Sequence, residues 1–430
     1  MIKKYLKISV SEEKAFVLHL AYSVIDGLIL GLFALNEFIL IKSLKGSNYE
    51  IGFLFQFTIL VLLLSIIIDE FFKKLKNKKS LIRYVGIITR LPLVCFTFFP
   101  TGPGLINNYL IYQVLFLLVF LIYYMANPLL FPAINFLLKN SYSHANFSRL
   151  YGYSSTANKI MMLVSTSIFG YMLDIDNFSF TYFYPVSSLL SIISIFILTK
   201  IPIHENYTPS EKKPIRKAIA DAFKNSSKIL KTNKPYRDFE IAFGLYGWAW
   251  LSTVAVITIF FSNILDLNYT SVAFYKNAYN TLAILILPFF GKLLGKIDPR
   301  KFAIYTFASM FFHLFFMALT QYINNYIVIW EIKIYYSLIA SYLSYGFFAA
   351  MMALLWYIGS AYFCRNEEVG SYQAIHLTLT GVRGMLAPLI GVFLYELIGF
   401  PGVFGLALVS LAMAMWVMKN SMRKYPIRID

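Results

Sequence analysis

Apolar residues in this chain run in long unbroken blocks separated by short polar connections, with too few charges inside the blocks to leave a solvated stripe. A bilayer core takes about 20 apolar residues per helical crossing. The blocks predict twelve crossings, at 15–41, 50–72, 81–100, 107–138, 149–173, 178–201, 237–263, 269–294, 301–321, 333–362, 371–397 and 400–418. The expected fold is an all-α polytopic membrane protein whose twelve transmembrane helices form two pseudo-symmetric six-helix halves, 1–203 and 237–430. The polar segment 204–236 joins them. Within it Ile215, Ile219, Phe223 and Leu230 recur near helical spacing, with Arg216, Lys217, Lys224 and Lys228 at other positions. That pattern suits a basic amphipathic helix on lipid headgroups, or equally a solvated cytoplasmic linker.

Charge fixes an expected orientation. Lys73, Lys74, Lys76, Lys78, Lys79 and Arg83 fall after the second block, Lys139 and Arg149 after the fourth, and Lys292, Lys296, Arg300 and Lys301 after the eighth. The tail adds Lys419, Arg423, Lys424 and Arg428. On alternate connections only Lys42, Lys45 and Lys333 are basic. The positive-inside rule then places both termini in the cytoplasm of a multi-pass cell-membrane protein. No small-residue cleavage site follows the first block, which is read as retained. The net charge of +17 is therefore topological and does not imply nucleic acid. Composition agrees, with 59% hydrophobic residues, 14% charged residues and a mean hydropathy of +0.65. Cys95 and Cys364 lie far apart with no metal-ligand spacing, so they are expected to be packing residues, and no metal or cofactor is implied.

The halves also repeat a short turn after their second crossing, SIIIDEFFKK at 65–74 and GKLLGKIDPRK at 291–301. SRLYGYSSTAN at 148–158 and EEVGSYQAIH at 367–376 open the fifth and eleventh crossings in a similar way. Twelve crossings in a six-plus-six order, a long basic central segment and this turn resemble the major facilitator superfamily of secondary transporters. The turn of that family reads Gly, three residues, Asp, a basic residue, one residue, Gly, one residue, two basic residues. Here Gly291, Lys296, Arg300 and Lys301 fit, while Gly295 stands where Asp is expected and Asp298 where Gly is expected. In the first half Asp69 and Lys74 fit, with Lys73 beside them, but Ser65 and Phe72 replace the glycines and Glu70 a basic residue. The resemblance implies two halves rocking about a midplane site, with Asp69, Lys73, Lys74, Gly291, Lys296, Arg300 and Lys301 as a conformational latch.

A charge at the bilayer centre costs about 2.5–3.5 kcal/mol on insertion scales, so each is expected to face the bundle interior with a partner. Asp26, Arg90, Lys159 and Arg383 are such positions. His19, Ser23, Asp26, Leu30, Phe33 and Glu37 share one face of the first crossing, and Gln373, His376, Thr380 and Arg383 one face of the eleventh. Asp26 is expected to couple protons or to serve as a counter-ion; the alternative is a structural ion pair. Arg383 is expected to bind an anion, with a fixed inter-helix contact as the alternative. Lys159 is a second anion candidate that could instead snorkel. Arg90 is expected to brace a neighbouring helix. His376 is a candidate substrate contact, although a bundle histidine with a hydrogen bond is the commoner role.

Asn127, Asn277 and Trp250 are further candidate substrate contacts, and Pro128 and Pro132 are expected to break or bend the fourth crossing. Most aromatics must be packing or interfacial residues, because they make up 18% of the chain. No nucleotide-binding GxxxxGK[ST] loop, nucleophile elbow or HExxH motif is present. The expected function is secondary active transport of a small organic solute by alternating access, anionic because three interior cations face one acid, and coupled to protons. The alternatives are a broad-specificity drug or metabolite exporter, and a non-transporting polytopic receptor or membrane enzyme.

Overall fold

The computed structural model describes residues 6, 8–61, 77–101, 109–139, 141–202, 215–294, 296–364 and 368–426. The chain divides into two compact units, Met1–Glu50 with Val61–Lys213, and Ile51–Leu60 with Pro214–Asp430. Nine helical stretches among the described residues are long and apolar enough to cross a membrane. Three features separate nine from twelve. The second expected crossing is described only to Val61, the fifth mixes polar residues into an otherwise apolar helix, and the last two run together as one continuous stretch, Ile375–Lys424.

In the first unit α1 (Val10–Phe33) opens with a capping box, in which Ser9 Oγ accepts from the Glu12 amide and the Glu12 carboxylate accepts from Ser9 N. A short turn and a π-helix, Ile39–Ser43, extend the same span to Ser43. Next comes α2 (Asn48–Leu60), whose residues from Ile51 belong to the second unit. α3 (Lys78–Arg90) tightens into a 3₁₀ helix over Leu91–Phe98, where Pro92 lacks the amide an α-helix would use. The fourth expected crossing is two helices, α4 (Tyr109–Tyr124) and α5 (Asn127–Lys139), broken at Met125–Ala126 just before Pro128. α6 (His144–Ile175) and α7 (Phe180–Thr199) complete the unit.

α1 packs on α6 and α7. The first contact requires Gly27, because a Cβ there would run into the Asn158 carbonyl oxygen. Edge-on rings of Phe33, Phe96, Phe120, Tyr123 and Tyr184 fill the space between α1, α4, the 3₁₀ segment and α7. Cys95, in that segment, is exposed and is not a packing residue.

In the second unit α8 (Ile215–Thr232) lies within the basic segment. It is followed by α9 (Lys234–Asn263), α10 (Tyr269–Leu294) and α11 (Pro299–Leu319). An unexpected antiparallel hairpin, β1 (Tyr326–Ile329) and β2 (Ile332–Tyr335), precedes α12 (Tyr336–Ile358). Its alternating apolar residues flank Trp330 and Glu331, both at positive φ, the backbone a two-residue hairpin turn needs. Lys333 Nζ donates to the Asp266 carbonyl at 2.7 Å, and Tyr335 N to Tyr275 Oη at 2.8 Å, fastening β2 to the ends of α9 and α10.

α13 (Val369–Lys424) holds both final crossings, bent at Gly399, whose φ of 66° and ψ of −175° favour a residue without a side chain. α9 and α13 share the most extensive helix contact in the unit, and α11 packs on α12 and α13. The α2 residues grouped here also meet α13: Gly52 faces Leu389 and Val392, and Gln56 donates to the Met385 carbonyl.

Candidate functional site

Each unit holds a buried polar cluster of its own. In the first, Asp26 lies on α1, midway along the apolar span Val10–Ser43. Its carboxylate accepts from Asn158 Nδ2 of α6 at 3.1 Å, and the same amide donates to the Ser23 carbonyl at 2.9 Å. The close approach at Gly27 is what lets Asn158 span both groups. The Tyr22 hydroxyl also hydrogen-bonds Asp26, and Arg90 acts on it through charge. Arg90, only 5% exposed at the end of α3, sits 4.6 Å from the Tyr123 ring centre and donates to Thr89 Oγ1 at 2.6 Å. It is therefore a partner of the acid as well as a brace, and the geometry joins two residues that the sequence left separate. His19 follows the commoner expectation for a bundle histidine, with Nδ1 3.0 Å from Tyr142 Oη. Lys159 lies on the exposed face of α6, while its neighbour Asn158 meets Asp26. Asn127 is half-buried at the start of α5.

In the second unit, α9 and α13 bring Glu240, His376 and Arg383 onto one contact. His376 Nδ1 stands 3.0 and 3.2 Å from the two Glu240 carboxylate oxygens. The pair is sealed, Glu240 being 4% and His376 1% exposed. Phe243 and Trp356 present ring edges to the imidazole at centroid distances of 4.9 Å each. Nε2 of that imidazole is buried with no hydrogen-bond partner among the described residues. Arg383 donates through Nη1 to the Phe243 carbonyl and through Nη2 to Thr380 Oγ1, both at 2.7 Å. Gly247 makes room for it, since a Cβ there would collide with the guanidinium. Electrostatic interaction links Arg383 to Glu240 and Tyr246.

Glu240 was not among the candidates drawn from the sequence. It lies close to the start of an expected crossing and reads there as an end-of-helix charge. The usable signal was its spacing with Tyr236, Phe243, Gly247 and Trp250, which lie on one helical face. With Glu37 and Glu240 counted, the expected excess of interior cations disappears among the described residues: Asp26, Glu37 and Glu240 stand against Arg90 and Arg383, and Lys159 is exposed. Trp250 stacks on Tyr246 at 6.3 Å, and Tyr246 on Phe307 at 5.2 Å, so this expected ligand aromatic is engaged in packing. Asn277 lies on α10, its carbonyl accepting from Thr281 Oγ1 at 2.9 Å.

Of the expected latch, Asp69, Lys73 and Lys74 lie outside the described residues, as does Gly295. Gly291, Lys296 and Lys301 are exposed. Arg300 is fully buried and its guanidinium is engaged inside the second unit. It donates to Asp298 at 2.7 and 3.0 Å, to the Ser421 carbonyl at 3.0 Å and to the Tyr425 carbonyl at 2.8 Å. Asp298, standing where the family turn has Gly, is the N-cap of α11 and orients that arginine. Among the described residues no group of three or more His, Cys, Asp or Glu is placed to hold a metal.

Bundled apolar helices with buried charges on their inner contacts are those of a multi-pass membrane protein. The family model of the Major Facilitator Superfamily matches residues 16–356. The chain belongs to that family and is a transporter, not an enzyme. Its fold is similar to a point mutant of the nucleoside transporter NupG, with a TM-score of 0.67, 13% identity and coverage of 96% of this chain and 100% of that one. It is also similar to the peptide transporter POT in complex with sulfate, with a TM-score of 0.69, 11% identity and coverage of 96% and 94%. The human organic anion transporter MFSD10 aligns with a TM-score of 0.61, 11% identity and coverage of 95% and 99%. No curated protein sequence matches the chain significantly.

Proposed function

We propose that this protein moves a small organic anion across the cell membrane by alternating access, in step with a proton, with both termini in the cytoplasm. The orientation rests on the lysine-rich alternate connections. The solutes named for its structural neighbours, nucleosides, peptides and organic anions, differ too much to choose among, so the choice rests on this chain's own residues. The observation that carries it is the state of Arg383. Its hydrogen bonds go to a carbonyl and a hydroxyl, both neutral, and among the described residues no carboxylate oxygen takes up its donors directly. A solute carboxylate is the natural partner for such a guanidinium. Asp26 supplies the proton-carrying carboxylate: its partners Asn158 and Tyr22 can bond it in either protonation state by reorienting an amide or a hydroxyl. Lys296 and Lys301 have the exposure a latch requires, whereas Arg300 serves to hold α11 to the end of α13. The packed Tyr246, Trp250 and Phe307 rings speak against an exporter whose cargo is gripped by these aromatics.

The reading is tested with purified protein in proteoliposomes, using whichever organic anion stabilises it in a binding screen. Arg383→Ala should insert normally and lose uptake, and wild-type uptake in that variant would remove Arg383 from the site. Asp26→Asn should retain exchange of internal for external solute and lose accumulation driven by a pH gradient. Undiminished accumulation would rule out coupling through Asp26.

A further inference from the structure

We propose that the Glu240–His376 pair is a second proton site that sets the affinity of Arg383 for the anion, an inference that rests on the anion reading above. The two side chains are sealed from solvent and joined at 3.0 Å, so a proton on the imidazole is held against a carboxylate. Arg383 lies on the same stripe of α13 as His376, with Thr380 between them, and feels the Glu240 charge. The other titratable groups around the pair are Tyr236 of α9, whose hydroxyl donates to the Tyr372 carbonyl at 2.7 Å and also interacts with the Glu240 carboxylate, Tyr372 itself, Cys364 beyond Tyr236, and Tyr246 beside Arg383. α12 contributes the Trp356 ring, which carries no charge. No second acid is therefore presented to the imidazole by these contacts.

Counting charge gives the consequence. With the shared proton present, the glutamate, imidazolium and guanidinium sum to one positive charge. Without it they sum to zero. In a site excluded from water, a bound carboxylate neutralises the first state and leaves an uncompensated negative charge in the second. Proton and anion therefore bind together or not at all. The Nε2 of His376 fits the same role: it is a buried ring nitrogen with no hydrogen-bond partner among the described residues, so protonating the imidazole leaves its second N–H unsatisfied until an acceptor reaches it. The linked reaction is a proton transfer onto the pair with no covalent bond made elsewhere.

Trp356 provides the readout, because an imidazolium against an indole quenches its fluorescence. The experiment titrates the full-length protein in mild detergent and isolates the Trp356 signal as the difference from Trp356→Phe. The same titration is then repeated in high concentrations of benzoate, acetate and inorganic phosphate. A single quenching transition on acidification is expected, abolished in His376→Gln and displaced along the pH axis in Glu240→Gln. At least one of the carboxylate probes should move it to higher pH, with the probe's apparent Kd rising about tenfold per pH unit above the transition. A transition unchanged in both variants, or no transition in the wild type, overturns the proton site. A His376-dependent transition that no probe moves, or only phosphate moves, overturns the linkage to a carboxylate. Neither result needs flux, so failure here is distinct from failure of the transport reading, which Arg383→Ala decides by uptake.

Discussion

Asp26 of the first unit and Glu240 of the second are held in opposite ways. Asp26 is bonded by an amide and a hydroxyl, with its cation, Arg90, acting from beyond them and resting on a tyrosine ring. Glu240 is bonded directly by an imidazole at 3.0 Å, with its arginine tied elsewhere to neutral acceptors. A carboxylate among neutral donors can gain or lose a proton and keep its hydrogen bonds. One bonded to an imidazole shares the proton with its partner, and the pair titrates as a unit. The first arrangement suits a carrier that must change state alone, and the second suits a device that tunes a neighbour.

The comparison can be broken at several points. The largest expected effect is on stability. Glu240→Ala strands a buried His376 and should cost about 3–5 kcal/mol, read as a fall in the midpoint of thermal unfolding in detergent. The double variant Glu240→Leu with His376→Leu should recover much of that loss, because it removes both polar groups together. Next comes Arg383→Ala, which removes two charge-assisted hydrogen bonds and should lower uptake roughly a hundredfold at equal membrane expression. Asp26→Asn is smaller in energy but sharper in meaning. A one-unit pH difference sustains about tenfold accumulation per proton carried, and the variant should bring that ratio to unity while leaving exchange intact. The smallest effect belongs to Asn158→Ala, about 1 kcal/mol for one neutral hydrogen bond, measured as a modest loss of thermal stability. If Asn158→Ala were as damaging as Glu240→Ala, the proposed difference between the two acids would not hold.

The long apolar blocks made the helices and the family legible in the sequence, because a bilayer imposes length and hydropathy directly. Asp26 and Arg383 were legible as well, since a charge in the middle of such a block stands out. Glu240 was not, because position near a block's end gives it the same appearance as an ordinary interfacial charge. The pairing of Asp26 with Asn158 and Arg90 depends on helix contacts more than 60 residues apart in the chain, which no local spacing encodes. The hairpin β1–β2 escaped for another reason: its YIVIWEIKIY run is apolar enough to be read as the approach to the next crossing. Asp298 shows a departure from a motif acquiring a physical meaning, as a helix cap that also orients Arg300.

The most direct test of proton-linked anion transport is a thermal-stability screen of the purified protein at two pH values, one acidic and one alkaline. The panel comprises organic carboxylates, nucleosides, short peptides and lipophilic cations. A ligand at a hundredfold excess over its Kd stabilises the native state by about 2.7 kcal/mol, which raises the unfolding midpoint measurably. The account predicts stabilisation by carboxylates, stronger at acidic pH and absent in Arg383→Ala. Stabilisation by lipophilic cations alone, or by any ligand equally at both pH values and in Arg383→Ala, would contradict it.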